Sequence, residues 1–258
     1  MRDVIAALNE ALERNEPVAL ATVVDVQGAS PTQVGFKLLV QTDGSAVGNI
    51  GGGDLEQRVR EEAIAALRDG RSRLFHFTLR EEEPDALGTL CGGDVTLFIE
   101  VYNPIPTLLI VGGGHLGRPL AEMARVVGFH VQVVDVQPER ATVPQFDPEV
   151  VTPWTFVVIT TQTHATDEQA LRQVLDTPAA YVGMIGSRRK VQTIFGHLRA
   201  DGVSDEQLAR VRAPIGLDLG GRSPEEIALA ILAEVVQVRY GGTGRPRALG
   251  LEGMGSDG

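Results

Sequence analysis

Between Thr107 and Asp135 the chain reads TLLIVGGGHLGRPLAEMARVVGFHVQVVD, and no other stretch constrains the fold as strongly. A solid apolar run leads into Gly112, Gly114 and Gly117, spaced G-x-G-x-x-G. Helical spacing follows to Val127, and a second apolar run closes at Asp135. A strand without polar alternation is buried on both faces, which a parallel sheet covered by helices provides. The glycines alone are a weak signal. Strand, loop, helix and terminal acid together describe the turn that receives a pyrophosphate in a Rossmann-type unit. Gly112 permits the tight turn, Gly114 lets backbone N–H groups approach the pyrophosphate, and the helix dipole favours its charge. A carboxylate at Asp135 would accept hydrogen bonds from ribose hydroxyls and repel a 2′-phosphate. The other reading is a Rossmann fold that keeps its turn without a ligand, since fold does not imply function. Pro119 places the start of the regular helix near Leu116, where the ring falls in the first turn and removes no interior hydrogen bond.

The same grammar continues downstream. TFVVITT, a helix near 166–175, YVGMIGS and the helix of RSPEEIALAILAEVVQVR alternate in order. The last helix has Ser223 as N-cap, Pro224 in its first turn and Glu226 three past the cap. The run Ser187-Arg188-Arg189-Lys190 ends a strand with an N-cap serine and three cations. It is either an anion dock at the sheet's C-terminal edge or a solvated basic helix start.

NPIP at 103–106 breaks the chain with two prolines, and the pattern before it is different. MRDVIAALNEALERNEP is an amphipathic helix, interrupted throughout by acids as a signal peptide is not. PVALATVVDV has strand composition, and GFKLLVQTDGSAVG is a hairpin turning at Asp43-Gly44. A helix from DLEQRVREEAIAALRDG then ends at Gly70, and RLFHFTL and VTLFIEVY are two more strands. The expected fold class is therefore α/β. A smaller mixed α+β domain occupies residues 1–104 and a Rossmann-like parallel-sheet domain residues 105–240. The glycine-rich stretch 241–258 is expected to be a disordered tail.

A second glycine run, Gly51-Gly52-Gly53, precedes a helix but follows a hairpin, so it is not a second dinucleotide fingerprint. Asp54 is expected to cap that helix, with Glu56 in its first turn, both suiting the dipole without a ligand. The single cysteine, Cys91, stands before Gly92 and Gly93. It excludes an intramolecular disulfide and a cysteine-rich zinc site, and is either an accessible thiol or a small buried apolar residue. A net charge of −11 argues against nucleic-acid backbone binding. The longest apolar runs are strand-length, which excludes a membrane span and makes a cytoplasmic location the expectation.

GNIGGGDLE, LCGGDVTLFIE, LLIVGGGHLG, YVGMIGSRRK and PIGLDLGGRSPEEIALAILAEV occur in that order. Together they resemble the XdhC/CoxI family of xanthine dehydrogenase accessory proteins, over about residues 4 to 239. The resemblance implies a protein that binds molybdenum cofactor, as molybdopterin or a dinucleotide form, supports its sulfuration and delivers it to an apo molybdenum hydroxylase. It implies a cysteine desulfurase and a second copy of the chain as partners. Cys91 would be the reactive residue and metal ligand, because soft thiolates suit such metals. Gly51, Gly52, Gly53, Glu56, Gly92, Gly93, Gly112, Gly114, Gly117, Asp135, Ser187 and Arg188 would bind the cofactor. The chain departs from the family at three places. Leu90-Cys91 stands for a cysteine pair, Thr32 for an arginine, and Thr161-Gln162-Thr163-His164 for Thr-His-x-His. The alternatives from other classes are an NAD(P)-dependent oxidoreductase and a nucleotide-sensing regulatory module.

Overall fold

The computed structural model describes residues 1–78 and 93–247. Cys91, Gly92 and residues 248–258 lie outside the described residues. The chain divides into two compact units, Met1–Pro104 and Ile105–Gly258.

The first unit is an antiparallel sheet with a helix on each face. Helix α1 (Arg2–Glu13) is followed by β1 (Val18–Gly28), β2 (Lys37–Gln41), β3 (Ala46–Asn49), α2 (Gly53–Asp69), β4 (Arg73–Thr78) and β5 (Gly93–Tyr102). The strand order is β3-β2-β1-β5-β4. Side chains of a strand alternate between faces, and the burial follows that period. Ala19, Ala21 and Val23 of β1, with Leu38 and Val40 of β2, pack on Leu55, Val59, Ala63 and Ala66 of α2. Val18, Leu20 and Leu39 face the other way, onto Val4, Leu8 and Ala11 of α1. The β2–β3 hairpin turns through Asp43 and Gly44, with the Ser45 N–H donating to Asp43 Oδ1 at 2.8 Å. Gly70 ends α2 at φ 65°, a left-handed C-cap.

The second unit is a doubly wound parallel sheet. Its elements are β6 (Thr107–Val111), α3 (Gly117–Val126), β7 (His130–Val134), β8 (Thr155–Ile159), α4 (His164–Leu175), β9 (Tyr181–Met184), α5 (Arg188–Ala200), α6 (Asp205–Ala209), β10 (Val211–Arg212) and α7 (Pro224–Tyr240). The order is β10-β9-β8-β6-β7, every pair parallel. Helices α3 and α7 cover one face through Leu120, Ala124, Ala228, Ile231 and Val235. Helices α4 and α5 cover the other through Leu171, Val174, Ile194 and Leu198. Between β7 and β8 the described chain forms a single 3-10 turn, Pro148–Val150, and no α-helix. From β6 the chain moves outward to β7, then returns past β6 to β8. The strand order therefore reverses between β6 and β8, and in such sheets the crevice beyond the strand ends at that point receives ligands. No helix of the described residues is long and apolar enough to cross a membrane.

Candidate functional site

The glycine loop sits at this reversal. Its strand β6 is held from both sides, since the Gly112 N–H donates to the Val134 carbonyl and the Thr160 N–H to the Val111 carbonyl, both at 2.8 Å. Thr160 Oγ1 donates to the Gly112 carbonyl at 2.8 Å. Gly112 has φ 110°, and a Cβ there would meet the Thr160 carbonyl. A Cβ on Gly117 would overlap the Gly112 carbonyl, so the third glycine allows helix and strand to touch. Helix α3 begins at Gly117 with Leu116 at its cap, which puts Pro119 in the first turn at no cost in hydrogen bonds.

Gly114 differs from its neighbours. Its φ is not in the left-handed region, and the atom nearest to a Cβ at that position would belong to the Arg140 guanidinium, 3.8 Å away. Nothing among the described residues requires glycine there. The N–H groups of Gly114, His115, Leu116 and Gly117 meet no acceptor among the described residues. They form the open positive end of α3.

Asp135 follows β7 directly. Its Oδ2 accepts the Gly113 N–H at 2.7 Å and its Oδ1 the Gln137 N–H at 2.8 Å. The carboxylate thus braces the glycine loop and keeps lone pairs on both oxygens for hydroxyl donors. Beside the loop opens a cleft of about 810 Å³ lined by the cations Arg118, Arg125 and Arg140 and by the carboxylates Glu122, Glu139 and Glu225. Arg118 is paired with Glu122 at 3.2 Å, and Arg140 has no ion pair among the described residues. Spacing could not single out Arg140, because the chain's return from β7 is what brings it to Gly114.

At the next loops along the sheet edge, Thr161 Oγ1 donates to Asp167 Oδ1 at 2.5 Å, and Asp167 Oδ2 is ion-paired with Lys190. Asp167 is fully buried. This chain of contacts joins the start of α4 to the start of α5 and runs through the residue adjoining Thr160. Ser187 caps α5, its hydroxyl accepting the Lys190 N–H at 3.2 Å. Arg188 and Arg189 are exposed, whereas Lys190 is drawn inward. The basic helix start is therefore two solvated cations and one largely buried structural one. His164 is exposed at the first position of α4. Among the described residues no three His, Cys, Asp or Glu side chains are grouped to hold a metal ion, there or elsewhere.

In the first unit, Gly51, Gly52 and Gly53 lie at the start of α2. The expectation that Asp54 caps this helix is not met. Three successive positive φ values, 116°, 71° and 61°, bring the helix start forward to Gly53, so Gly52 is the cap and Asp54 falls in the first turn. Glu56 is spent on Arg60, at 2.7 Å. Gly93 fits against the end of β1, where a Cβ would meet the carbonyls of Gln27 and Ala29.

A family model described as the XdhC Rossmann domain matches residues 108–235, and one described as the XdhC and CoxI family matches residues 11–78. The chain belongs to the XdhC and CoxI family. The uncharacterized protein YqeB of Escherichia coli is 37% identical over 248 residues. That match covers 90% of this chain and 45% of YqeB, so the chain spans less than half the length of that relative. The molybdenum cofactor insertion chaperone PaoD of Escherichia coli is 23% identical, with 92% of this chain and 88% of PaoD covered. A probable xanthine dehydrogenase subunit of Bacillus subtilis is 21% identical, with 90% and 96% covered.

Proposed function

We propose that this XdhC/CoxI protein is an accessory factor that binds molybdenum cofactor, supports its sulfuration and delivers it to an apo molybdenum hydroxylase of the xanthine dehydrogenase type. The observation that carries this reading is the match to PaoD, named a molybdenum cofactor insertion chaperone, along nearly the full length of both chains. The second unit supports it with a cradle for the phosphate-bearing end of the cargo. Free N–H groups at Gly114–Gly117 and the Arg140 guanidinium supply positive charge, and Asp135 accepts from hydroxyls. A dinucleotide form of the cofactor suits this cradle, as does NAD, which has no 2′-phosphate for Asp135 to repel, and Cys91 is the proposed metal ligand. Gly51, Gly52, Gly53, Glu56, Gly92 and Gly93 of the first unit, and Ser187 and Arg188 of the second, are proposed cofactor contacts in the same reading. A cysteine desulfurase would supply the sulfur, and the working form is a homodimer in the cytoplasm.

The test is mass spectrometry of small molecules released from protein co-expressed with the molybdenum-cofactor pathway. Pterin and molybdenum are expected together. NAD(P) alone, with substrate-dependent turnover, would replace this reading by an oxidoreductase; a nucleotide without turnover would replace it by a sensor. Cys91→Ser is expected to fold normally and to retain less molybdenum, read by metal analysis of the purified variant. Wild-type retention would remove the thiol from the mechanism.

A further inference from the structure

Gly112, Gly113 and Gly114 stand in succession, and no backbone turns more freely than a run of glycines. A loop that must present its N–H groups in one direction needs that freedom removed. The structure removes it at one peptide unit. The carbonyl of Gly112 and the N–H of Gly113 are the two ends of the same planar group. At the carbonyl end, Thr160 Oγ1 donates at 2.8 Å from the loop after β8. At the N–H end, Asp135 Oδ2 accepts at 2.7 Å from the loop after β7. The two side chains therefore grip the unit from strands on opposite sides of β6. The Thr160 hydroxyl also lies 3.4 Å from the Val111 carbonyl, the longer and weaker of its two contacts. No backbone group among the described residues bonds to either end of the unit. The Gly112 N–H, which donates to the Val134 carbonyl, belongs to the preceding peptide. Turned over, the unit would point the Gly112 carbonyl at the Asp135 carboxylate, and the two negative ends would repel.

We propose that Thr160 is a positioning residue for nucleotide binding, which with Asp135 locks the Gly112–Gly113 peptide in the one orientation that the glycine loop needs. Thr160 acts through Gly112. Asp135 has two tasks, to accept the Gly113 N–H and to offer its remaining lone pairs to ribose hydroxyls. An arrangement fixed before the ligand arrives spares binding the cost of ordering it. Without the Thr160 hydroxyl both orientations of the unit are populated, and apparent affinity falls by the fraction of chains left in the competent one. The inference rests on the nucleotide cradle of the function proposed above, Gly114–Gly117 with Asp135, and not on the pterin or the metal of the cargo.

The experiment is an amide NMR titration of the full chain with ADP, which carries a pyrophosphate and ribose hydroxyls, joined to amide hydrogen exchange without ligand. Wild type should bind ADP with saturable shifts at Gly114–Gly117. Thr160→Val keeps the side chain's shape and removes its donor, and should weaken ADP about fivefold or more. Thr160→Ser keeps the donor and should stay within about twofold of wild type. In the ligand-free valine variant the Gly113 N–H should exchange about tenfold faster, while the Gly112 N–H, held by the Val134 carbonyl, keeps its wild-type rate. A residue that merely stabilised the loop would speed both amides alike and leave the affinity of the folded chain unchanged. Wild-type ADP affinity in Thr160→Val, no rescue by Thr160→Ser, or equal acceleration at Gly112 and Gly113 would each overturn the inference. A wild-type chain that binds no ADP would overturn it together with the cradle. Thr160-dependent ADP binding in a protein that never retains pterin would refute the proposed cargo and leave the positioning role standing.

Discussion

At the scale of single residues, glycines with the same name do different work. Gly112 and Gly117 are confined by the protein's own backbone, because a side chain on either would enter a carbonyl oxygen. Gly113 is confined as well, between Val133 and the Arg140 carbonyl, each 2.9 Å from a Cβ. Gly114 is unconfined. Gly117→Ala should therefore cost about 1–3 kcal/mol in urea denaturation through overpacking. Gly114→Ala should stay within about 0.5 kcal/mol of wild type and lose cofactor or nucleotide, measured by retention on purification. The spacing G-x-G-x-x-G names the three fingerprint glycines in sequence. It is silent on Gly113 and on which position the fold leaves unconfined, since those answers depend on Thr160 and Arg140, which come from other elements.

At the scale of elements, helix starts are legible where the capping group is a local side chain. Ser223 accepts the Glu226 N–H, and Glu226 Oε2 accepts the N–H groups of Ser223 and Arg222, a reciprocal box written in consecutive residues. Ser223→Ala should cost about 1 kcal/mol of stability in chemical denaturation. The backbone N–H groups of Ser223 and Arg222 hold the Glu226 carboxyl below its ordinary value of 4.5. Hydrogen bonds from Arg172, then His197, do the same for Glu168. Both native carboxyls bind a proton less readily than in the unfolded chain. Their contribution is complete above pH about 4.5 and drains away as pH falls through the lower native values. Glu226→Gln should flatten the acid limb of a stability-versus-pH curve and leave the neutral plateau slope unchanged. Where the cap is a backbone conformation, as at Gly51–Gly53, the sequence misleads and Asp54 looks like the cap.

At the scale of the whole molecule, Thr161, Asp167 and Lys190 tie the loop after β8 to the start of α5. Lys190→Met would leave a buried carboxylate without its cation, and a loss of about 3–5 kcal/mol is expected in urea denaturation. Adding Asp167→Asn to that variant should recover part of the loss, because the charge to be desolvated is gone. The sequence alone determined the two-part chain, the parallel character of its second half, the turn after β6 and the caps of α5 and α7. Each of these is written in residues a few places apart, where periodicity, backbone freedom and side-chain reach act. Tertiary structure decided the strand order β10-β9-β8-β6-β7, the burial of Lys190 beside Asp167 and the approach of Arg140 to Gly114. Each of those depends on chain segments far apart in sequence, whose meeting is set by how hydrophobic faces pack and which no local pattern encodes.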